Sequence, residues 1–527
     1  MRFEVKEAWR ATGLLLLLVA VSVALRLPGF DGRALWVDEL WRVNLILEKG
    51  SISRYWSAPD LYTAITAPLY LAFNSLLGWI DTSPWCLRLS SFLPGLISVA
   101  LAFSIARKAG AGLGWATAAT ALFAANEKFI QYSNEFKPYM FEVMIHLACM
   151  ALWLDLVTPR PSRQRQWVMF TLALLVAAFC TANIVFVLPA MALSLADKVL
   201  TQERDKLKPL FASFFIVGCA VIGLYFLVWS YGSDKGLISY WADNFHDATR
   251  EGYLNFAGKQ LLGMWKAAFS TVGAGRGMFV LSALGLIGAL YACGKRRLLA
   301  VQPVRGLLIY GLVLTLTVLA LNRVGLWPIG EIRPNLFLFA IIAAWWVILL
   351  SIALTTRAQW LMAALLIAAM VTGVAKTSRA DYTGLGPPLE QSDRVWAAFA
   401  ASTPAGKAIV DQCKEKKPVT VFVNPAMSHA FRYYAQINDS TAKTSVLSSQ
   451  CAAIKFVPDA YMSADSLRKQ ILAEQPSAGL QWYVFSHLNE EEIGKLKSLA
   501  QEFGTLQSEE IFEGAGYFSV KGDKTAN

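Results

Sequence analysis

Three short segments of this 527-residue chain set carboxylates beside cations at the ends of apolar runs. The first reads Leu35-Trp36-Val37-Asp38-Glu39-Leu40-Trp41-Arg42. The second reads Tyr132-Ser133-Asn134-Glu135-Phe136-Lys137-Pro138-Tyr139. The third reads Trp327-Pro328-Ile329-Gly330-Glu331-Ile332-Arg333-Pro334-Asn335. A carboxylate within hydrogen-bond reach of a hydroxyl can take its proton and make it a nucleophile. A guanidinium or ammonium can hold a phosphate by charge-assisted hydrogen bonds. Together these groups suit base-assisted attack on a phosphate-bearing substrate. Asp38, Glu39 and Glu135 are the candidate bases, Arg42, Lys137 and Arg333 the candidate binding cations, and Glu331 is spaced to pair with Arg333. A solvated loop with interface tryptophans would read the same way in the first segment alone.

The elements that must position these residues are membrane spans. Hydrophobic residues make up 56% of the chain and charged residues only 16%, with a mean hydropathy of +0.44. A soluble domain is about 45–50% apolar and about 25% charged, so disorder, a coiled coil and a wholly soluble enzyme are excluded. The net charge of +11 is uneven. Residues 376–527 carry 16 Lys/Arg and 17 Asp/Glu, whereas residues 1–375 carry 32 and 20. Basic residues clustered between apolar spans orient a membrane protein, and no nucleic-acid partner is implied.

Eleven spans are predicted, near 12–26, 89–106, 111–126, 138–157, 167–182, 184–197, 210–230, 277–293, 306–321, 335–354 and 358–375. Alternate connections then collect Arg2, Lys6 and Arg10; Arg107 and Lys108; Arg160, Arg163 and Arg165; Lys198 to Lys208; Lys295 to Arg305; and Arg357. The positive-inside rule makes that side cytoplasmic. Residues 61–80 are apolar enough to span, but a span there would reverse every later loop, so they are expected to lie in the interface. The two spans within 167–197 are short, with Asn183 at their turn. Segments 27–88, 127–137, 230–276 and 322–334 face outward, together with the tail from 376.

The tail reads as a separate α/β domain entered through Gly384, Gly386, Pro387 and Pro388. VTVFV (419–423) and WYVFS (482–486) are strand runs, and 465–474 and 489–503 are helix patterns. Residues 508–522 suggest a hairpin with Gly514 and Gly516 at its turn. Cys413 and Cys451 are expected to form a disulfide, being the two cysteines on the oxidising side. No Cys/His spacing forms a zinc site, and the paired carboxylates could hold a divalent cation without demanding one.

Outward loops are where cations are least expected, yet Arg26, Arg33, Arg42, Lys49 and Arg54 all lie there. Cations held against that bias call for an anionic partner, and a phosphate at the membrane surface is the natural one. Glu142 and His146, one turn apart in a predicted span, read most simply as a structural Glu–His hydrogen bond. An intramembrane functional pair is the alternative.

Five motifs in order give the chain a family resemblance. Leu35-Trp36-x-Asp38-Glu39 resembles an LW-x-DE motif after the first span. Tyr132-Ser133-x-Glu135-x-Lys137-Pro138-Tyr139 resembles YS-x-E-x-RPY. Pro68-Leu69-Tyr70, Arg88-Leu89-Ser90-Ser91 and Glu331-Ile332-Arg333-Pro334 resemble H/K-PPLY, RLPS and a late Arg segment. Together they resemble the GT-C superfamily of polyprenyl-phosphate-sugar glycosyltransferases. The nearest branch is the bacterial one similar to protein O-mannosyltransferases and the lipid A aminoarabinose transferase. Two departures stand out: Lys137 replaces an Arg, losing a bidentate fork, and Thr66-Ala67 replace His/Lys-Pro.

The resemblance implies about 11 transmembrane helices with interfacial helices in the first outer loop (1–375) and a soluble α/β domain (376–527). It implies a bacterial inner-membrane enzyme with a cytoplasmic N-terminus and a periplasmic tail. The implied reaction moves a sugar, with inversion, from a polyprenyl phosphate to a hydroxyl of a periplasmic glycan, lipid or protein. Asp38 would be the base, aided by Glu39 and Glu135. Arg42, Tyr70, Arg88, Lys137, Tyr139, Glu331 and Arg333 would bind substrate, with no cofactor beyond a possible divalent cation. A lipid-linked-sugar flippase is the main rival, but transporters set ionisable groups near mid-membrane, whereas here they gather at one surface. A polysaccharide polymerase is a second rival, lacking an LW-x-DE after its first span.

Overall fold

The computed structural model describes residues 2–30, 35–49, 68–158, 161–229, 244–376 except 248, 392–399, 402–415, 419–424, 427–428, 430, 433–434, 452–456, 480–486, 488–512 and 515–521. The chain divides into two compact units. The first comprises Met1–Phe30, Ser51–Leu77 and Trp85–Gly386; the second comprises Asp31–Gly50, Gly78–Pro84 and Pro387–Asn527.

The apolar runs form helices: α1 (Arg2–Phe30), α2 (Val37–Lys49), α3 (Pro68–Ile80), α4 (Pro84–Lys108), α5 (Leu113–Ala125), α6 (Glu127–Ser133), α7 (Tyr139–Val157), α8 (Gln164–Cys180) and α9 (Ile184–Gln202). There follow α10 (Leu207–Leu227), α11 (Tyr253–Ala268), α12 (Gly275–Lys295), α13 (Val304–Arg323), α14 (Leu336–Ala353) and α15 (Thr356–Lys376). Among the described residues, nine helices are long and apolar enough to cross a membrane: α1, α4, α7, α9, α10, α12, α13, α14 and α15. The other two predicted spans are α5, with 13 residues, and α8, with 17. At 1.5 Å per residue α5 covers about 20 Å, against a hydrocarbon core of about 30 Å. It stops because Asn126 turns the chain out of the helix and caps α6, its Oδ1 accepting from Lys128 N and Phe129 N. Residues 68–80 form α3, too short to span; 61–67 lie outside the described residues.

In the first unit the spans pack around α14, whose span window is 83% buried. Tryptophans of α5 and α14 anchor it to its neighbours through polar contacts as well as apolar ones. Trp115 Nε1 donates to Ser351 Oγ at 2.9 Å, and Trp346 Nε1 to Ser282 O at 2.9 Å. The helix ends sort by charge. Arg107 of α4 meets Glu7 of α1 at 2.8 Å, and Lys108 meets Asp155 of α7 at 2.6 Å. Arg305 of α13 meets Asp197 of α9 at 2.8 Å. Lys198, buried, donates to Leu156 O and pairs with Glu203 at 2.9 Å. Burial alone would raise the Glu203 pKa, but hydrogen bonds from Lys198 and Ser162 hold it below its usual value. The cations expected on one side by parity thus share one end of the bundle. The exposed pairs contribute about 0–1 kcal/mol each, so they fix register more than stability.

In the second unit, α16 (Ser392–Ala398) and α17 (Pro404–Lys414) precede a five-stranded sheet. Its strands are β1 (Val419–Val423), β2 (Ala452–Phe456), β3 (Leu480–Ser486), β4 (Thr505–Phe512) and β5 (Ala515–Lys521), in the order β2-β1-β3-β5-β4. β1 pairs parallel with β2 and β3; β5 pairs antiparallel with β3 and β4. Helix α18 (Glu490–Gln501) starts at Asn489, whose side chain accepts from Glu492 N while Glu492 accepts from Asn489 N. Ile493, Leu496, Leu499 and Ala500 cover Phe422, Tyr483, Phe485 and Phe518 of the sheet. Tyr433 Oη donates to Thr82 O at 2.8 Å, so the segment before α4 belongs to this unit's packing.

Several expectations change. Gly516 is not at the hairpin turn but inside β5, opposite Phe485, where a Cβ would come within 2.9 Å of that ring. Gly514, the 465–474 helix and the Gly384–Pro388 entry lie outside the described residues, as do Arg33 and Arg54. Cys413 is disulfide-bonded; its expected partner, Cys451, is outside the described residues. Glu142 and His146 share no carboxylate–imidazole bond. The Glu142 carboxylate accepts from Asn183 Nδ2 at 2.9 Å, and His146 Nδ1 meets the Glu142 carbonyl at 2.7 Å. Asn183, the N-cap of α9, thus takes the carboxylate.

Candidate active site

At the end of the bundle opposite the basic cluster, the chain leaves α6 and turns through Asn134, Glu135, Phe136 and Lys137 into Pro138. Lys137 N donates to Glu135 O at 2.7 Å, which tightens the turn. Pro138 then sets the backbone for α7. Two outside groups hold this turn. Arg26 at the end of α1 donates from Nε to Ser133 Oγ at 3.0 Å, and Ser91 of α4 donates to Lys137 O at 2.7 Å. Gly95 of α4 permits the approach, since a Cβ there would lie 2.3 Å from Ser133 Oγ.

Arg26 therefore does not serve a phosphate as the topology argument expected. It is fully buried, and its guanidinium also donates to Ala124 O at 2.9 Å and Phe123 O at 3.4 Å, capping the last turn of α5. Helix C-terminal carbonyls lack partners and favour cations, so they satisfy this Arg in place of an anion. Arg26→Met should lower the unfolding midpoint of the purified protein. Each carbonyl left without its donor costs about 1–3 kcal/mol. An unchanged midpoint would remove this role.

Facing the turn is the segment before α14. Asn335 pins it, donating from Nδ2 to Pro328 O and Glu331 O at 2.8 and 2.6 Å and accepting from Trp327 Nε1 at 2.8 Å. Glu331 and Arg333 approach at 4.0 Å, and Arg333 N donates to Glu331 Oε1 at 3.3 Å. The Arg333 guanidinium lies close enough for its charge to act on the Tyr132 hydroxyl. Burial first, then the charges of Glu135 and Glu331, push the Tyr132 pKa well above its ordinary value, against a smaller pull from Arg333. The hydroxyl stays protonated at neutral pH. The Tyr139 ring meets Tyr132 edge-on at 5.3 Å. Glu135 and Lys137 are buried, while Glu331 and Arg333 are part-exposed. Two carboxylates, a guanidinium and a phenol from segments about 200 residues apart thus share one electrostatic site.

Arg88 is buried on α4, one turn from the Ser91 that holds Lys137. Tyr70, buried on α3, packs against Phe141 in the first turn of α7 at 5.3 Å. Asp38, Glu39 and Arg42 belong to the second unit. They occupy the first turns of α2, where Trp36 is the N-cap. Trp36 N donates to Glu39 Oε2 at 3.2 Å, half of a capping box. Glu39 is fully buried in that role. Asp38 is half-buried, and Arg42 lies on its face of the helix, four residues on. Leu35, Trp36, Leu40, Val43 and Ile46 bury the apolar side of α2.

Tyr132 was quoted in its motif but given no role by the sequence. Its partner Arg333 is 201 positions away, and no local pattern links them. Among the described residues, no three His, Cys, Asp or Glu side chains gather closely enough to hold a metal ion.

No family model matches this sequence, and no curated protein matches it. Solved structures do. ArnT from Cupriavidus metallidurans bound to undecaprenyl phosphate aligns with a TM-score of 0.55 at 13% identity, covering 96% of this chain and 98% of that one. Archaeoglobus fulgidus AglB, an archaeal oligosaccharyltransferase in complex with an inhibitory peptide and a dolichol-phosphate, aligns at 0.52 and 14% identity, covering 97% of this chain and 74% of that one. An Archaeoglobus fulgidus oligosaccharyltransferase in complex with Zn and sulfate aligns at 0.52 and 14% identity, over 94% of this chain and 71% of that one. At these identities the likeness is one of fold, and the chain shares the fold of ArnT and AglB.

Proposed function

We propose that this protein is a membrane glycosyltransferase that moves a sugar from a polyprenyl phosphate to a hydroxyl acceptor. The observation that carries the reading is the site of Tyr132, Glu135, Glu331 and Arg333 at the bundle end away from the basic cluster, within a fold shared with lipid-phosphate-bound ArnT. Arg333 and Lys137 hold the donor phosphate, and Arg88, Arg42, Tyr70 and Tyr139 shape the rest of the substrate site. Asp38 takes the proton of the acceptor hydroxyl as its oxygen bonds to the anomeric carbon. The bond from that carbon to the phosphate oxygen breaks, and polyprenyl phosphate leaves. A single displacement inverts the anomeric centre. Glu39 holds the first turn of α2, which keeps Asp38 oriented, and Glu135 shares or assists the base role. A divalent cation, if required, has no ready-made ligand cluster among the described residues.

The same reading puts the N-terminus and the basic helix ends in the cytoplasm, and residues 376–527 in the periplasm as a domain distinct from 1–375. The acceptor is a periplasmic glycan, lipid or protein. Purified protein should be thermally stabilised by undecaprenyl phosphate. Nucleotide sugars, which are cytoplasmic, should leave it unchanged; stabilisation by the nucleotide sugar alone would count against the reading. For orientation, alkaline phosphatase fused after Asn527 should be active. An inactive fusion whose cytoplasmic-reporter counterpart is active would overturn the topology.

A further inference from the structure

A buried primary amide with nothing to bond carries its full desolvation penalty. Asn74 lies mid-way along α3 and is fully buried. Neither its Nδ2 nor its Oδ1 has a hydrogen-bond partner, and it is the only side chain among the described residues with two such atoms. A leucine would fill similar volume on an otherwise apolar helix at no such cost. Orphaned polar groups in native interiors call for an explanation, and an empty partner position awaiting a ligand is one.

Its surroundings indicate which ligand. Tyr70, one turn before Asn74, and Phe73, beside it, both pack on Phe141 of α7, at 5.3 and 6.0 Å. Phe141 stands two residues from Tyr139, whose ring meets Tyr132 beside Glu135 and Arg333. At the far end of α3, Cys86 Sγ of α4 contacts Leu77 O at 3.7 Å. One turn along α4 from Cys86, Ser90 is also fully buried, and its hydroxyl lacks a partner. Ser90 adjoins Ser91, which holds Lys137. Two orphaned groups, an amide and a hydroxyl, therefore lie on two helices that pack against the start of α7 and the Lys137 turn before it.

We propose that Asn74, assisted by Ser90, reads the hydroxyls of the donor's sugar. A sugar hydroxyl both donates and accepts, and an amide offers two N–H groups and a carbonyl, so one side chain can bond a vicinal pair. A site built this way rejects a ligand that lacks the hydroxyls, because its own polar groups then stay unpaired. Both groups are covered by protein atoms here, so the sugar reaches them by displacing neighbouring side chains. The proposal rests on the glycosyltransferase reading and deepens it.

The test uses the full-length protein in lipid nanodiscs, with bare undecaprenyl phosphate and a membrane lipid extract as probes. The extract supplies sugar-bearing polyprenyl phosphates, and mass spectrometry of the retained lipids gives the preference for sugar-bearing over bare lipid. Asn74→Leu should keep or raise the unfolding midpoint and leave the affinity for bare undecaprenyl phosphate unchanged. It should lower the sugar preference at least tenfold. Asn74→Ala should show the same loss if the leucine variant does not fold. Full preference in either variant, or none in the wild type, would overturn the assignment; a lower midpoint with full preference would mean an ordered water only. Failure of the wild type to bind bare undecaprenyl phosphate would instead count against the glycosyltransferase reading.

Discussion

Replacing Asp38 by Asn should lower sugar-transfer turnover about 10²–10⁴-fold while donor binding survives. Asn keeps the shape of the side chain and removes only its capacity to take a proton. The structural cost should be small, because Asp38 is half-buried in the first turn of α2, where Asn is well tolerated. Glu39→Gln is the useful comparison. Its remaining carbonyl oxygen can still accept from Trp36 N, so the cap persists and turnover should fall much less. Turnover would be followed with labelled donor at saturating acceptor, and affinity with undecaprenyl phosphate in the same preparation. If Asp38→Asn transfers sugar at the wild-type rate, the base is elsewhere, and Glu135 becomes the first candidate.

Arg333→Ala should weaken undecaprenyl phosphate binding about 10–100-fold, the range for losing a hydrogen bond to a charged group. Arg333 is part-exposed and its approach to Glu331 is long, so little of its value lies in that ion pair. Its guanidinium lies near the Tyr132 hydroxyl. Tyr132→Phe keeps the ring packed on Tyr139 and removes that hydroxyl, so it should weaken binding by a smaller factor. Arg333→Lys should fall between, since an ammonium keeps the charge but not the planar fork. The loss should shrink as salt rises, because the contact is electrostatic. Equal affinity of Arg333→Ala and wild type for undecaprenyl phosphate at low salt would remove Arg333 from the phosphate.

The legible parts of this protein were those with local causes. Long apolar runs gave the helices, and charge in the connections identified the helix ends that the Arg107–Glu7, Lys108–Asp155 and Arg305–Asp197 pairs gather. VTVFV and WYVFS read as strands because β-branched and aromatic residues fill them, and both are strands. Ala-Ala-Ile-Lys-Phe of β2 has too little β-propensity to be seen, and pairing with β1 decides its fate. The first turn of α2 was hidden because its N-cap is a tryptophan, a residue without a capping oxygen. Arg26 was misread for a different reason. Its partners at Ala124 and Phe123 are backbone carbonyls nearly 100 residues away, and composition counts only side-chain charge. The same blindness hid the approach of Arg333 to Tyr132. Motif order could bring these residues to notice, but only the packing of α6, α7 and α14 joins them in one site.

A glycosyltransferase must cleave the donor at its sugar–phosphate bond, and that cleavage can be followed directly. Purified protein in proteoliposomes would receive undecaprenyl-phosphate sugars with a labelled anomeric carbon, together with a periplasmic envelope extract as acceptor. Phosphorus and carbon NMR would follow both halves of the donor. Undecaprenyl phosphate should appear one for one with glycosylated acceptor, and the new linkage should have the opposite anomeric configuration. Movement of the intact lipid-linked sugar from one leaflet to the other, with no undecaprenyl phosphate released, would contradict it and make the protein a transporter.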